Sequence, residues 1–246
     1  MVTPAQRTMS IAPDRSEAPW PGYEYVRGWG VFGLPFDTGH LLALRVFPQN
    51  PFAPYATVWH RDPTGRWSLY VDGPRLDTAC PRYYGDTFDH VAHVRITLTW
   101  IGPWTLRITL DEPGLEWTVV ASQTAMLRLC NAIGAAAPLW TWRPRLLISA
   151  REALARGLGM GRLRLATEMP SGHHGILMPE RMFYVDRSHA VLDGVDFGRA
   201  TRLTTNPELG GVPLPARGVM VVGQGMWQIA DRAEYERTRA ETAISY

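Results

Sequence analysis

Proton transfer near neutral pH needs a side chain that titrates there, and few positions in this chain combine that chemistry with expected burial. His60 lies in an expected strand among Val58, Trp59 and Tyr70. A half-buried imidazole there can exchange protons close to neutrality. Glu116 and Glu168 fall within or at the end of expected strands rather than in turns. A carboxyl group facing a dry interior has a raised pKa and can act as an acid, whereas on an outer face it is an ordinary solvated side chain. His60, Glu116 and Glu168 are therefore the catalytic candidates, with a structural histidine and two solvated glutamates as the alternative. Trp59, Tyr70, Tyr83, Trp140 and Trp142 are the candidates for lining a ligand site, since large aromatic rings can fill a core or wall a cavity.

Composition removes several other chemistries. All 25 basic residues are arginine. Schiff-base, pyridoxal phosphate and P-loop enzymes each use a lysine and are excluded. Arginine keeps its charge at ordinary pH, so histidine is the only basic side chain that can carry a proton reversibly. The formal net charge of +2 is spread without a basic run, which argues against nucleic acid as a partner. Cys80 and Cys130 are too few for a disulfide framework or a four-sulfur zinc site and read as free thiols. His90 and His93, three apart in a strand, point to opposite faces, so no metal site is expected. The run Gly157-Leu158-Gly159-Met160-Gly161 follows a helical stretch and precedes a strand, the reverse of what a phosphate-binding turn requires. Gly223-Gln224-Gly225 lacks the third glycine, and no Gly-x-Ser-x-Gly elbow occurs. No cofactor is implied. No apolar stretch approaches about 18 residues and no secretory pattern opens the sequence, so no membrane span and a cytoplasmic location are expected.

The elements that must position these residues are mostly strands. Residues 1–22, with Pro4, Pro13, Pro19 and Pro21, read as a disordered or loosely packed arm. From residue 23 to 246 the pattern is that of one β-rich domain with a helical insert at about 122–157. Residues 23–32 and 40–47 form a first pair, in which Gly28, Gly30 and Gly33 allow a corner or a close backbone approach. Residues 56–61 and 66–71 form a hairpin about Asp62-Pro63-Thr64-Gly65. Alternation over residues 92–100, 104–110 and 115–120 gives a meander. At Ser122, a plausible cap, the period becomes helical through Ala125, Met126, Leu129, Cys130 and Ile133. A second helix spans residues 145–156, with Leu146, Leu147, Ala150, Ala153 and Leu154 as its apolar face. Pro138 to Pro144 forms an aromatic joint between the two. Strands resume at 162–168, 175–178, 181–186 with 190–192, and 218–229. Asp231 and Glu234 cap a short C-terminal helix.

The fold class is therefore mainly β, an antiparallel barrel or sandwich with a helical insertion and a short C-terminal helix. In the texture of residues 23–120 and 162–229 the chain resembles lipocalin-like barrel proteins that include carotenoid 1,2-hydratase relatives, and as a whole it resembles proteins of high-GC actinobacteria. The lipocalin resemblance implies a barrel cavity for an apolar small molecule such as an isoprenoid, polyketide or lipid. An enzyme of this kind would use cofactor-free acid/base chemistry for hydration, cyclisation or isomerisation. The alternatives are a carrier that performs no chemistry and a structural or homo-oligomeric protein that meets a partner through its aromatic surfaces.

Overall fold

Strands form where apolar and polar residues alternate, and two runs of neighbouring strands are joined by the last strand in the sequence. The computed structural model describes residues 2–243. Its principal strands are Tyr23–Val31 (β1), Leu41–Asn50 (β2), Tyr55–Arg61 (β3), Trp67–Asp72 (β4), His90–His93 (β5), Ile96–Gly102 (β6), Thr105–Leu110 (β7), Leu115–Ser122 (β8), His174–Leu192 (β9) and Val219–Gln228 (β10). Across the sheet they run β5-β4-β3-β2-β1-β10-β9-β8-β7-β6, and four two- or three-residue strands attach as branches. Every pairing along this path is antiparallel except β4 with β5. The sheet curls into a half-barrel, which brings β3 close to β6.

Alternation gives this sheet two faces with different fates. The inner face contributes Trp29, Leu44, Val58, Ile108, Trp117 and Phe183 to one buried cluster. The interior of the curl is thus packed with side chains. The outer face of the central strands is also apolar and lies beneath helices and loops, in clusters containing Val26, Trp59 and Trp227, Trp142 and Met178, or Leu127 and Val219. The helices are Pro4–Met9 (α1), Pro81–Tyr84 (α2), Ala125–Ala136 (α3), Arg145–Gly157 (α4) and Arg232–Ala243 (α5).

Several elements differ from the sequence expectations for definable reasons. Within the expected arm of residues 1–22, Pro4–Met9 form α1, closed by a reciprocal Thr3–Gln6 capping box with Pro4 at its start. Ile11 reaches the inner core and Trp20 an outer cluster. The residue 1 of that arm, and residues 244–246 of the expected domain, lie outside the described residues. Ser122 still belongs to β8, and Thr124 caps α3 by accepting from the Leu127 amide. The apolar faces expected for α3 and α4 are turned away from the sheet: Met126, Leu129, Ile133, Leu146 and Leu154 are exposed, while Leu127, Asn131, Ile148 and Ala155 are buried. In α3 the side turned to the sheet carries Asn131. Strand β8 ends at Ser122 opposite Tyr184, so the Met182 backbone of β9, paired with Val221 of β10 on one side, has no neighbouring strand on the other. The Asn131 amide donates to the Met182 carbonyl and accepts from its N–H, both at 2.8 Å, which satisfies groups that are costly to leave unpaired. Strand β9 is continuous through Arg187-Ser188-His189, which pair with Val120, Val119 and Thr118 rather than forming a turn.

The strand glycines serve a close approach. A methyl group on Gly28 would collide with the Val46 carbonyl oxygen, and one on Gly30 with that of Leu44. Gly30→Ala is expected to lower the unfolding free energy by about 1–3 kcal/mol through overpacking. Urea denaturation measures this, and an unchanged midpoint would show that β2 can move aside.

Candidate functional site

The outer face of the sheet is not sealed completely. A cavity of about 220 Å³ lies between it and the helical cover. Val26 and Gly28 of β1, Arg45 and Phe47 of β2, and Trp59 of β3 form part of the sheet wall, with Val219, Gly225 and Trp227 of β10 and Leu177 and Met182 of β9. Opposite stand Ile133 and Gly134 of α3, Trp142 of the joint, and Leu154 and Ala155 of α4. Cys80, Tyr83 and Tyr84, in and before α2, close one side. No residue of the inner core cluster lines this space. The cavity is therefore outside the curl of the sheet, not within it as the barrel resemblance implies.

Three arginines line the cavity, Arg45, Arg151 and Arg164, and of these only Arg45 is fully buried in its wall. Arg45 is only 4% exposed, and no carboxylate lies within ion-pair distance among the described residues. Its Nη1 donates to the carbonyls of Val31 at 2.8 Å and Leu44 at 3.1 Å, and its Nη2 to that of Phe32 at 3.1 Å. The guanidinium lies 3.8 Å from the Phe32 ring centroid and 4.6 Å from that of Trp59. Burial lowers its pKa, opposed only by weaker contributions from Tyr84, Cys80 and Tyr55. Burial in turn raises the pKa of the Cys80 thiol and of the Tyr55 and Tyr84 hydroxyls. These neighbours consequently remain protonated at neutral pH and offer hydrogen-bond donors rather than bases.

A second buried guanidinium provides a contrast. Arg82 meets the fully buried Glu24 through Nη2 to Oε1 at 2.7 Å and through Nε at 3.1 Å to both carboxylate oxygens. Tyr83 donates to Glu24 at 2.7 Å and stacks on Trp227 with ring centroids 4.3 Å apart. Burial opposes the Arg82 charge, but Glu24 outweighs it and raises the guanidinium pKa. This network fastens α2 to β1. On the cavity wall the carboxylate is Glu180, which accepts from Arg27 at 3.2 Å and from the Gln224 amide. The buried indole N–H of Trp227, another wall residue, has no hydrogen-bond partner among the described residues.

The structure brings together Trp59, Tyr83 and Trp142 of the sequence candidates, all on the cavity wall. Tyr70 belongs instead to the inner core. Trp140 is 62% exposed, so of the two tryptophans in the joint only Trp142 turns towards the sheet. None of the three catalytic candidates lines the cavity. Glu116 is exposed on β8 and Glu168 on the short strand Ala166–Glu168. His60 is buried at another place, beside the inner-core residue Phe197. The residues that sequence reasoning missed are Arg45 and Cys80. Arg45 left one readable signal, a single arginine within the apolar run from Leu41 to Phe47.

Comparison with protein-family models, curated proteins and solved structures finds no match to the chain.

His60 pairs with His40: Nδ1 of His40 and Nε2 of His60 are 2.9 Å apart, and the Phe197 ring stacks on His40 at 3.9 Å between centroids. Burial, and secondly the proximity of His40, lower the His60 pKa from 6.5 to about 4; burial lowers that of His40 too. The unfolded chain therefore binds a proton at His60 below about pH 6.5, while the folded protein resists it until about pH 4. Stability from this group is complete above the unfolded pKa and is lost as pH falls through that window. The urea midpoint is expected to drop across it, and His60→Gln to flatten the slope. A variant with the wild-type pH dependence would remove His60 as its source.

Proposed function

We propose that the protein binds a small, mainly apolar molecule with one acidic head in the cavity beneath its helical cover, and holds this ligand without converting it. Arg45 is the observation that supports the reading. A buried charge without a counterion is unfavourable, and a carboxylate entering the cavity would supply one while keeping its apolar body among Phe47, Trp59, Leu177 and Trp142. Isoprenoid, polyketide and lipid acids all present this chemistry. The volume is below the roughly 300–1,000 Å³ of drug-sized sites, which favours a compact ligand.

Holding rather than converting follows from the groups around the guanidinium. Tyr55, Tyr84 and Cys80 remain protonated, and the wall carboxylate Glu180 is engaged by Arg27 and Gln224. A proton abstracted from a ligand near Arg45 would find no free base there. The wall is equipped for recognition, with a cation, donors and rings.

Octanoate and its methyl ester distinguish this reading from non-specific apolar binding. Calorimetry is expected to show octanoate bound about tenfold or more tightly than the ester, because a hydrogen bond to a charged group contributes roughly 1.5–3 kcal/mol. Arg45→Met should abolish the preference and leave the ester unaffected. Equal affinity for acid and ester in the wild-type protein would sink the proposal, whether or not the variant folds.

A further inference from the structure

The helical cover carries a charge and an apolar surface that extend beyond the cavity. Residues 123–165 contain seven arginines and one acidic residue, Glu152, for a formal charge of +6 in a chain whose total is +2. The rest of the chain is therefore acidic overall, at −4. Arg128, Arg143, Arg145, Arg156, Arg162 and Arg164 are exposed. Among the described residues, none of these six forms an ion pair with a carboxylate.

The same segment exposes large apolar side chains. Leu129 and Ile133 on α3, Trp140 in the joint, and Leu146 and Leu154 on α4 are between 46% and 80% exposed. Ile133 and Leu154 also line the cavity, so the apolar strip reaches its mouth. Arginines interspersed with leucine, isoleucine and tryptophan match the chemistry of a membrane interface, where phosphate headgroups meet acyl chains. Nucleic acid would answer the charge but not the aliphatic side chains, and an acidic surface of a second copy would answer neither the leucines nor Trp140.

We propose that this face of the helical cover docks peripherally on a lipid bilayer containing anionic headgroups. Trp140 and the exposed leucines enter the interface, and the unpaired arginines meet lipid phosphate. Such docking places the cavity mouth against the apolar phase. It rests on the surface alone, and vesicle adsorption can be read without any cavity ligand, so it succeeds or fails independently of the acidic-head reading.

The test is co-sedimentation of the full chain with vesicles of phosphatidylcholine alone and of phosphatidylcholine mixed with phosphatidylglycerol. The protein is expected to bind the mixed vesicles, to ignore the neutral ones, and to be released by salt. Arg145→Ala should weaken binding about fivefold, as expected for one basic residue at an anionic surface. Trp140→Ser should weaken it about tenfold or more. Both side chains are exposed, so retained circular dichroism and melting temperature check that each variant is folded. Equal binding to both vesicle types, or binding to neither, overturns the proposal. Unchanged affinity in Trp140→Ser overturns it by leaving only a general polyanion site. A concentration-dependent dimer that Trp140→Ser dissolves overturns it in favour of a second copy.

Discussion

Because successive side chains of a strand point to opposite faces, a strand that is apolar on both must be buried twice. This constraint organises the molecule. Strands β1, β2, β3, β9 and β10 all carry it, with Trp29, Leu44 and Phe183 on one face and Val26, Trp59 and Trp227 on the other. Curling satisfies the inner face, because the sheet becomes its own partner. The outer face has no such solution and depends on segments brought in from several places in the sequence: the N-terminal segment with Trp20, α2, the α3–α4 cover, and the short hairpin that carries Leu209 and Val212. A seal assembled from separate segments leaves space where they meet, and the cavity lies at that junction.

Two of the buried guanidiniums, Arg45 and Arg82, show what this junction asks of polar groups. Removing an ion from water costs several kcal/mol even after relaxation, so a buried charge requires dense compensation. Arg82 receives it from Glu24 and becomes a fastener between helix and sheet. Arg45 receives three carbonyl oxygens and two ring faces, which hold its position without neutralising it. Carbonyl dipoles and aromatic quadrupoles stabilise a cation less than a carboxylate does at the same distance. The difference between the two sites is the physical basis for treating one as architecture and the other as a binding group.

Much of the fold was legible in local pattern. The hairpin at Asp62 was readable because Asp62 accepts from the Thr64 and Arg66 amides and Gly65 takes a φ of +99°, the geometry those residue types favour. Most of the meander β6–β8 was readable from alternation, although the strand expected over residues 92–100 is divided at Val94-Arg95 between β5 and β6. The site was less legible, because its members are linked only through tertiary structure. His60 was identified as a partly buried imidazole, but its partner His40 lies 20 positions away and the pair faces the inner core. Glu116 lies in a strand as expected, yet alternation does not say which face is dry, and the structure exposes it. Arg45 was not singled out, since alternation hides a strand buried on both sides.

The helical cover is where local and tertiary preferences conflict, and the size of each effect indicates how the conflict is resolved. In α3, the helical period alone would bury Met126, Leu129 and Ile133, each worth roughly 1.5–3 kcal/mol on full burial. The observed rotation buries Leu127 and lets Asn131 satisfy two backbone groups of Met182, which would cost roughly 1–3 kcal/mol each if left unpaired. With Leu127 included the two totals are comparable, but the hydrogen bonds alone do not offset three exposed apolar side chains. The same pattern recurs on α4, where Ile148 and Ala155 face inward while Leu146 and Leu154 face water, without an asparagine to account for it. Two adjacent helices with the same outward bias point to a common cause at their shared exposed face. An interface that takes up the apolar strip would restore to both helices the burial that the sheet does not provide.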